Sequence, residues 1–263
     1  MLEDLEILSN NLLQDFEDQI DFNPLENLTK KSKESIPFDY FSFYTSVSSV
    51  YSSKIEGENI EADSYIKHKF LNVSYKQNYT KKADDLFEAY KFSQHKKLNK
   101  KNVLKAHKKL SQNLLSANER GIIRTNPMFV LNEDDRIEYV ASEPRKVKSE
   151  WNKLFRDIKK LRKSEMSTNE VFYYASYIHL VFLKIHPLQD GNGRTARLIE
   201  KWFLREKIGN EAISIELEKN YYSNKSRYYK NIRTIGLDYE ELEYEKGLEF
   251  LLMTINSLRD LKV

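Results

Sequence analysis

Ile185-His186-Pro187-Leu188-Gln189-Asp190-Gly191-Asn192-Gly193-Arg194-Thr195-Ala196-Arg197 is the stretch on which the fold turns. The chain has 263 residues and only seven glycines, and two of them, Gly191 and Gly193, fall here. Backbone freedom is therefore concentrated in one loop, as expected where another group must come close to the main chain. Ahead of the loop, Val171, Tyr174, Ala175, Ile178, Phe182 and Ile185 recur at helical spacing. Ser167-Thr168-Asn169-Glu170 precedes them and reads as a capping box. Pro187 disfavours the α region for His186, so this helix is expected to end there and leave the imidazole at the mouth of the loop. Behind the glycines, Leu198, Ile199, Trp202 and Phe203 resume the helical period, which places Gly191 to Arg194 at the start of a second helix.

The start of a helix offers unpaired N–H groups and the positive end of a dipole, a combination that suits phosphate. Arg194 and Arg197 are three apart and can share one helix face, giving two guanidinium forks matched to phosphate oxygens. Asp190 supplies one carboxylate, the usual protein share of a Mg²⁺ held mainly by nucleotide phosphates and water. A different local structure fits part of the same stretch. Asp-Gly and Asn-Gly are strong hairpin-turn signals, and Tyr177 to Ile185 is rich enough in β-branched and aromatic residues to pass for a buried strand. A turn, however, has no need of His186 or of two arginines.

The run His-Pro-Leu-Gln-Asp-Gly-Asn-Gly-Arg-x-x-Arg resembles the signature of Fic proteins, His-x-Phe-x-(Asp/Glu)-Gly-Asn-Gly-Arg-x-x-Arg, and departs from it only at Leu188. There the family has an aromatic that anchors the loop to the core; leucine keeps an apolar anchor. The resemblance implies a mainly α Fic-type helical bundle with one β-hairpin flap. It also implies transfer of AMP from ATP to a hydroxyl side chain of a target protein. His186 would then be the base and Asp190 would hold Mg²⁺. Gly191, Asn192 and Gly193 would cradle phosphate, with Arg194 and Arg197 on its outer oxygens.

Composition sets wider bounds. Lys+Arg of 43 against Asp+Glu of 40 is nearly balanced, so charge gives no ground for an obligatory polyanion such as nucleic acid. No cysteine is present, no apolar run approaches a membrane span, and Met1-Leu2-Glu3-Asp4 carries no apolar signal segment. The expectation is a soluble cytoplasmic protein forming one domain over 1–263, since no Pro-, Gly- or Ser-rich linker divides it. No glycine or proline interrupts the chain between Gly57 and Gly121 or between Pro144 and Pro187, spans that long helices fill. Helices are expected through Leu5, Leu8, Leu12, Phe16 and Ile20, ending near Pro24, and over Phe38 to Ile55. Others run through Ala83 to Tyr90, Val103 to Leu114 and Val147 to Leu161. The last two are a helix from Tyr221 to Ile235 and a tail helix from Leu248 to Leu258.

One segment breaks the helical pattern. Pro127-Met128-Phe129-Val130-Leu131 and Arg136-Ile137-Glu138-Tyr139-Val140 flank the polar Asn132-Glu133-Asp134-Asp135 and read as a hairpin. Fic proteins carry a flap at this place in the order, after a segment similar to Gly121-Ile122-Ile123-Arg124. The resemblance implies that Met128, Phe129, Val130 and Leu131 hold an extended target segment by strand pairing. Ser52-Ser53-Lys54-Ile55-Glu56-Gly57 resembles the family's inhibitory motif, (Ser/Thr)-x-x-x-(Glu/Asp)-(Gly/Asn). Taken alone, it would be a helix end with Gly57 as C-cap. Beside the signature, it implies that residues 38–57 form an in-chain inhibitory helix acting through Ser52, Glu56 and Gly57. Tyr228-Tyr229 resembles a family pair near the adenine. His68 and His95 lie among polar residues and read as surface; His107 and His179 lie on apolar faces and read as core. The lysines from 96 to 109 read as a solvated face. Two other functions remain open: a Fic enzyme that removes AMP or transfers another phosphorylated group, and a non-catalytic protein-binding module.

Overall fold

The computed structural model describes residues 5–32, 36–75, 78–131 and 136–259. Its centre is a helix with no polar face. In α8 (Thr168–Ile185) every residue from Val171 to Ile185 is buried, as befits a helix that is apolar all round. The capping box predicted at its start is present, with Ser167 Oγ accepting from the Glu170 amide and the Glu170 carboxylate accepting from the Ser167 amide. α9 (Asn192–Ile208) returns antiparallel beside it, and the signature occupies the six residues between the two helices and the first six of α9.

The remaining helices wrap this pair. They are α1 (Leu13–Asp18), α2 (Pro24–Ser32), α3 (Tyr40–Ile55), α4 (Ala62–Leu71), α5 (Lys81–Gln94), α6 (Lys100–Leu110) and α7 (Pro144–Leu161). After α9 come α10 (Leu217–Ser223), α11 (Lys225–Thr234) and α12 (Leu248–Asn256). α3 is started by Asp39, whose carboxylate accepts from the Ser42 amide at 2.7 Å. α7 begins on Pro144, where a missing N–H is harmless. A core cluster draws on residues from Leu8 to Leu258, and a smaller one of Val50, Ile60, Tyr65 and Ala83 fastens α4 to α3 and α5. Among the described residues no helix is long and apolar enough to cross a membrane.

The hairpin is where the sequence places it. β1 (Phe129–Leu131) pairs antiparallel with β2 (Ile137–Val140), Phe129 opposite Val140 and Leu131 opposite Ile137, with an irregularity between Val130 and Leu131. The connecting residues 132–135 lie outside the described residues. Its base is pinned at two points. The Val140 amide donates to Leu237 O at 2.8 Å, and Tyr139 Oη donates to Lys184 O on α8 at 2.6 Å. Its outer side chains, Phe129, Leu131 and Ile137, stay exposed.

Three expectations need correction. The helix expected from Leu5 to Ile20 is confined to Leu13–Asp18. The buried carboxylate of Asp157 on α7 accepts the amides of Glu6, Ile7 and Leu8 at 2.8–3.0 Å, which draws that stretch into an irregular path despite its helical period. The helix expected from Tyr221 to Ile235 is two helices, broken at Asn224, whose amide side chain turns back on Asn220 O. A polar side chain that bonds locally competes with the helical ladder. α4 was not expected, because it buries Tyr65 alone and so has almost no apolar stripe to read.

Because Asp157 satisfies three amides from inside the core, Asp157→Ala leaves all of them without an acceptor. The expected loss is about 3 kcal/mol of stability, or roughly 6–12 °C in Tm, by urea and thermal unfolding. A loss below about 0.5 kcal/mol would mean that the N-terminal stretch is held by apolar packing alone.

Candidate active site

The loop after α8 is built on an unusual turn. His186 ends the helix in the left-handed region, φ 51° and ψ 58°, a conformation that costs a non-glycine residue about 1 kcal/mol or more. Arg124 holds it there. The Arg124 amide donates to Pro187 O at 2.9 Å, and Arg124 Nε donates to His186 O at 2.6 Å. The two terminal nitrogens reach Asn126 O and Ser142 O, both at 2.6 Å, so one side chain ties the loop after α8 to both ends of the hairpin. Leu188 is fully buried and acts as the apolar anchor. Asn192 closes the loop around it: Oδ1 accepts from the Leu188 amide at 3.0 Å, and Nδ2 donates to Leu188 O at 2.8 Å. The Asn192 side chain is thus committed to the loop, and only its main chain remains to meet a ligand.

His186 Nδ1 lies 3.1 Å from Leu183 O. A carbonyl can only accept, so Nδ1 carries the proton and Nε2 presents a lone pair. Burial pushes the imidazole pKa down to about 4, with the Arg124 charge adding to the effect, so the ring is neutral at pH 7. Asp190, at the far end of the loop, is exposed, and its main-chain oxygen accepts from His107 Nε2 at 3.0 Å. His107 Nδ1 accepts from the Gly121 amide at 2.9 Å, and burial likewise lowers this ring to about 4. Among the described residues no group of three or more His, Asp or Glu side chains converges as a metal cage. A lone exposed carboxylate beside a helix start fits Mg²⁺ that arrives with phosphates, and does not fit a resident structural ion.

The two glycines serve different ends. Gly191 has φ 73° and begins α9 in the left-handed region. At Gly193 a Cβ would stand 2.5 Å from Glu56 Oε1, so glycine is what lets an anionic oxygen touch the helix start. At this end of α9 the first amides have no carbonyl in the preceding turn to bond. Two buried arginines rise beside it. Arg197, fully buried, donates from Nη2 to Glu56 Oε1 at 2.6 Å and to Ser52 O at 3.1 Å. Its Nε reaches Ser52 Oγ at 2.9 Å and its Nη1 reaches Tyr228 Oη at 3.3 Å. Arg194 lies 3.5 Å from Glu58, and among the described residues its Nε is buried without a hydrogen-bond partner. Burial alone would raise the Glu56 pKa, but the charges of Arg197 and Arg194 outweigh it and hold the carboxyl below its ordinary value. Glu56 remains 27% exposed, in contrast to the arginine it binds.

Around these groups is a cavity of about 190 Å³ lined by Glu56, Val130, Lys184, His186, Arg197 and Tyr229. It adjoins an open groove of about 920 Å³ between the hairpin and α11, bordered by Gly57, Leu131, Lys225 and Tyr229. The predicted site residues His186, Gly193, Arg197 and Glu56 therefore meet in one place. The tyrosine pair divides: Tyr229 faces the groove, with its hydroxyl donating to Ile55 O at 3.2 Å, whereas Tyr228 is buried on Arg197. Of the flap residues, Val130 and Leu131 line the cavity or groove, Phe129 points out, and Met128 pairs through its carbonyl with Ala141. Gly57, with φ 86°, follows directly on Glu56 at the end of α3. His107 and His179 are core residues, as read; His95 is exposed and His68 is half-buried against Val73 O.

Four contributors were not anticipated. Arg124 was noted only as part of a flap-leading segment, and Glu58 lies outside any motif. Lys184 had a signal, a lone charge in an apolar helix, and its ammonium donates to Gly236 O at 2.8 Å over the Tyr139 ring. Burial brings its pKa down to about 7. The ion pair Glu138–Arg233 ties β2 to α11 across the groove.

The site is thus a neutral imidazole, an open helix start and two buried arginines on α9, set beside a hairpin in a helical bundle. Residues 97–204 match the Fic/DOC family model, a domain family known for transferring nucleotide or phosphate groups onto proteins. The match spans α6 to α9 and leaves Glu56 and Tyr228 outside. No curated protein matches the chain. Solved structures share the fold. A Fic family protein from Desulfovibrio desulfuricans is 15% identical with a TM-score of 0.74, covering 97% of this chain and 74% of its own. A Fic domain containing signaling protein from Bacteroides thetaiotaomicron is 17% identical with a TM-score of 0.66, covering 90% of this chain and 94% of its own. Fic-1 of C. elegans, as a fragment, is 14% identical with a TM-score of 0.62, covering 95% and 69%.

His107 and His186 are neutral in the fold with pKa values of about 4 against an ordinary 6.5. Between those values the unfolded chain binds protons that the folded chain does not, so stability is lost as pH falls from 6.5 towards 4. His107→Gln removes one of the two contributions. The stability gap between wild type and His107→Gln should narrow as urea unfolding is moved from pH 7 to pH 4.5; a constant gap would mean that His107 is not buried in its neutral form.

Proposed function

We propose that the chain transfers AMP from Mg·ATP to a Ser, Thr or Tyr hydroxyl of a target protein, itself included, and that the geometry described above is its restrained state. The observation that carries this is the convergence of a proton-free His186 Nε2 with a helix start and two buried arginines, one of which has a buried nitrogen with no partner among the described residues. In the reaction the target oxygen attacks the α-phosphorus. The new O–P bond forms as the bond to pyrophosphate breaks, and the hydroxyl proton passes to His186 Nε2. Main-chain amides from Gly191 to Gly193 would meet phosphate oxygens, with Arg194 and Arg197 on the outer phosphates. Mg²⁺, when bound with the nucleotide at Asp190, would supply charge neutralisation.

Tyr229 is the better placed of the pair to stack on a base, since it alone faces the groove. The exposed apolar side chains of the hairpin suit an extended target segment. A cytoplasmic location accords with this role. Glu56 takes the Arg197 nitrogen that a phosphate would need, and its charge repels one. It therefore works as an inhibitor in the forward direction; in the reverse direction the same carboxylate would orient a water that removes AMP. A binding module without catalysis has no use for a proton-free imidazole at this point.

Removing the carboxylate should free Arg197. If the competent arrangement is about a tenth populated or less in wild type, Glu56→Gly raises AMP transfer about tenfold or more at equal Mg·ATP, measured with a labelled nucleotide. Adding His186→Ala to that background should lower transfer by roughly 10²–10⁴-fold while ATP still binds. Equal transfer by wild type and Glu56→Gly would end the inhibitory role. Persistence of transfer without His186 would end its role as base. A second outcome concerns the hairpin: proline placed along the pairing edge of β1 or β2 should lower target modification and leave ATP binding unchanged. Unaltered modification across the whole scan would make the hairpin a structural decoration.

A further inference from the structure

Arg197 Nη1 leads away from the cavity into the core. It donates to Tyr228 Oη at 3.3 Å. A guanidinium has donors only, so the phenol oxygen accepts and its own proton is free to go elsewhere. The next atom is His179 Nε2 at 3.0 Å, and His179 Nδ1 lies 2.7 Å from Glu200 Oε2. A carboxylate accepts, so Nδ1 carries the imidazole proton and Nε2 takes the proton of Tyr228. Glu200 Oε1 accepts twice more, from Tyr221 at 2.8 Å and from Thr254 at 2.6 Å. Every donor between Arg197 and Glu200 points the same way, and bonds aligned head to tail polarise one another.

This chain of groups lies out of water. His179, Glu200, Tyr221 and Thr254 are 0% exposed and Tyr228 is 1% exposed. Aromatic rings fix the imidazole from three sides, with centroids of Phe250, Tyr221 and Tyr228 at 5.2, 5.4 and 5.8 Å. A carboxylate in such a place does little for stability, since apolar replacement of buried ionic groups is often neutral or favourable. Its hydrogen bonds lead to one arginine of the active site.

We infer that Glu200 and His179, acting through the Tyr228 hydroxyl, are positioning residues for the Arg197 guanidinium and hold it aimed at the cavity when Glu56 withdraws. Glu56 occupies only Nη2, whereas Nη1 belongs to Tyr228 and Nε to Ser52. Departure of Glu56 then frees one donor and leaves the plane of the fork set in advance, which is what an arriving anion requires for tight binding without reorganisation. Glu200 stands three residues after Arg197 on α9, so one rigid helix carries both the guanidinium and the far end of the chain that orients it. The positioning stands on the hydrogen bonds alone; its consequence for nucleotide rests on the function proposed above.

The test uses the full chain with Glu56→Gly and adds Tyr228→Phe, which keeps the ring, or Glu200→Gln, which keeps the shape, with folding checked by thermal melting. Two readouts are taken. In the absence of nucleotide, ¹⁵N NMR should find solvent exchange of the Arg197 Nε–H about tenfold faster in both variants. By calorimetry, affinity for a non-hydrolysable ATP analogue should fall about tenfold while affinity for AMP holds, and neither change should add to the loss already caused by Arg197→Ala. Unchanged exchange overturns the inference. So does an equal fall for the ATP analogue and AMP, which is what a generally loosened core would give. Faster exchange with unchanged ATP affinity upholds the positioning and removes Arg197 from phosphate binding, a failure of the proposed function instead.

Discussion

A fully buried guanidinium organises this molecule. Arg197 sits on α9 with no exposure, and a cation in that position must be paired or the fold loses about 3–5 kcal/mol. Its partners come from remote parts of the chain: Ser52 and Glu56 from the end of α3, and Tyr228 from α11. Satisfying one side chain thus brings three helices to one point. The carboxylate that neutralises the arginine also stands against Gly193 at the start of α9. One carboxylate therefore both pairs the buried arginine and fills the space over Gly193.

Arg124 plays the corresponding part for the backbone. The left-handed turn at His186 needs its carbonyl oxygens bound, and the apolar α8 has nothing to give them. Arg124 supplies the donors and at the same time holds the residues on either side of the hairpin. The hairpin and the loop after α8 are fixed relative to each other through one side chain, while Phe129, Leu131 and Ile137 stay exposed. Lys184 continues the arrangement from below: its carbonyl accepts from Tyr139 and its ammonium donates to Gly236 O, so the last turn of α8 supports both the hairpin and the segment beside it.

Much of the central unit was legible in the chain. The capping box at Ser167, the break before Pro187 and the restart after Gly193 each rest on local rules, namely backbone sterics, capping and the apolar period. The hairpin could be read because its strands alternate around a polar turn. One misreading came where a remote group overrode the local pattern. Leu5 to Leu12 has a helical period, yet Asp157, some 150 residues away, takes its amides. α4 was missed for the opposite reason, since a helix that buries one residue leaves almost no period to detect.

By itself, the sequence determined a helical protein with a phosphate-suited loop between two helices and a histidine at its mouth; that a remote glutamate could oppose the loop was implied only by the resemblance to Fic proteins. Those are properties of residue type and short spacing, and backbone chemistry acts over a few residues. Only the tertiary structure decided that Glu58 faces Arg194, that Tyr228 turns inward while Tyr229 meets the groove, and which nitrogen of His179 and of His186 holds the proton. Each of those depends on which surfaces pack together, and Ser52 and Arg197 are 145 residues apart in the chain. Helical period encodes which face is buried but not what it is buried against, and the pairing of buried polar groups follows from the second of these.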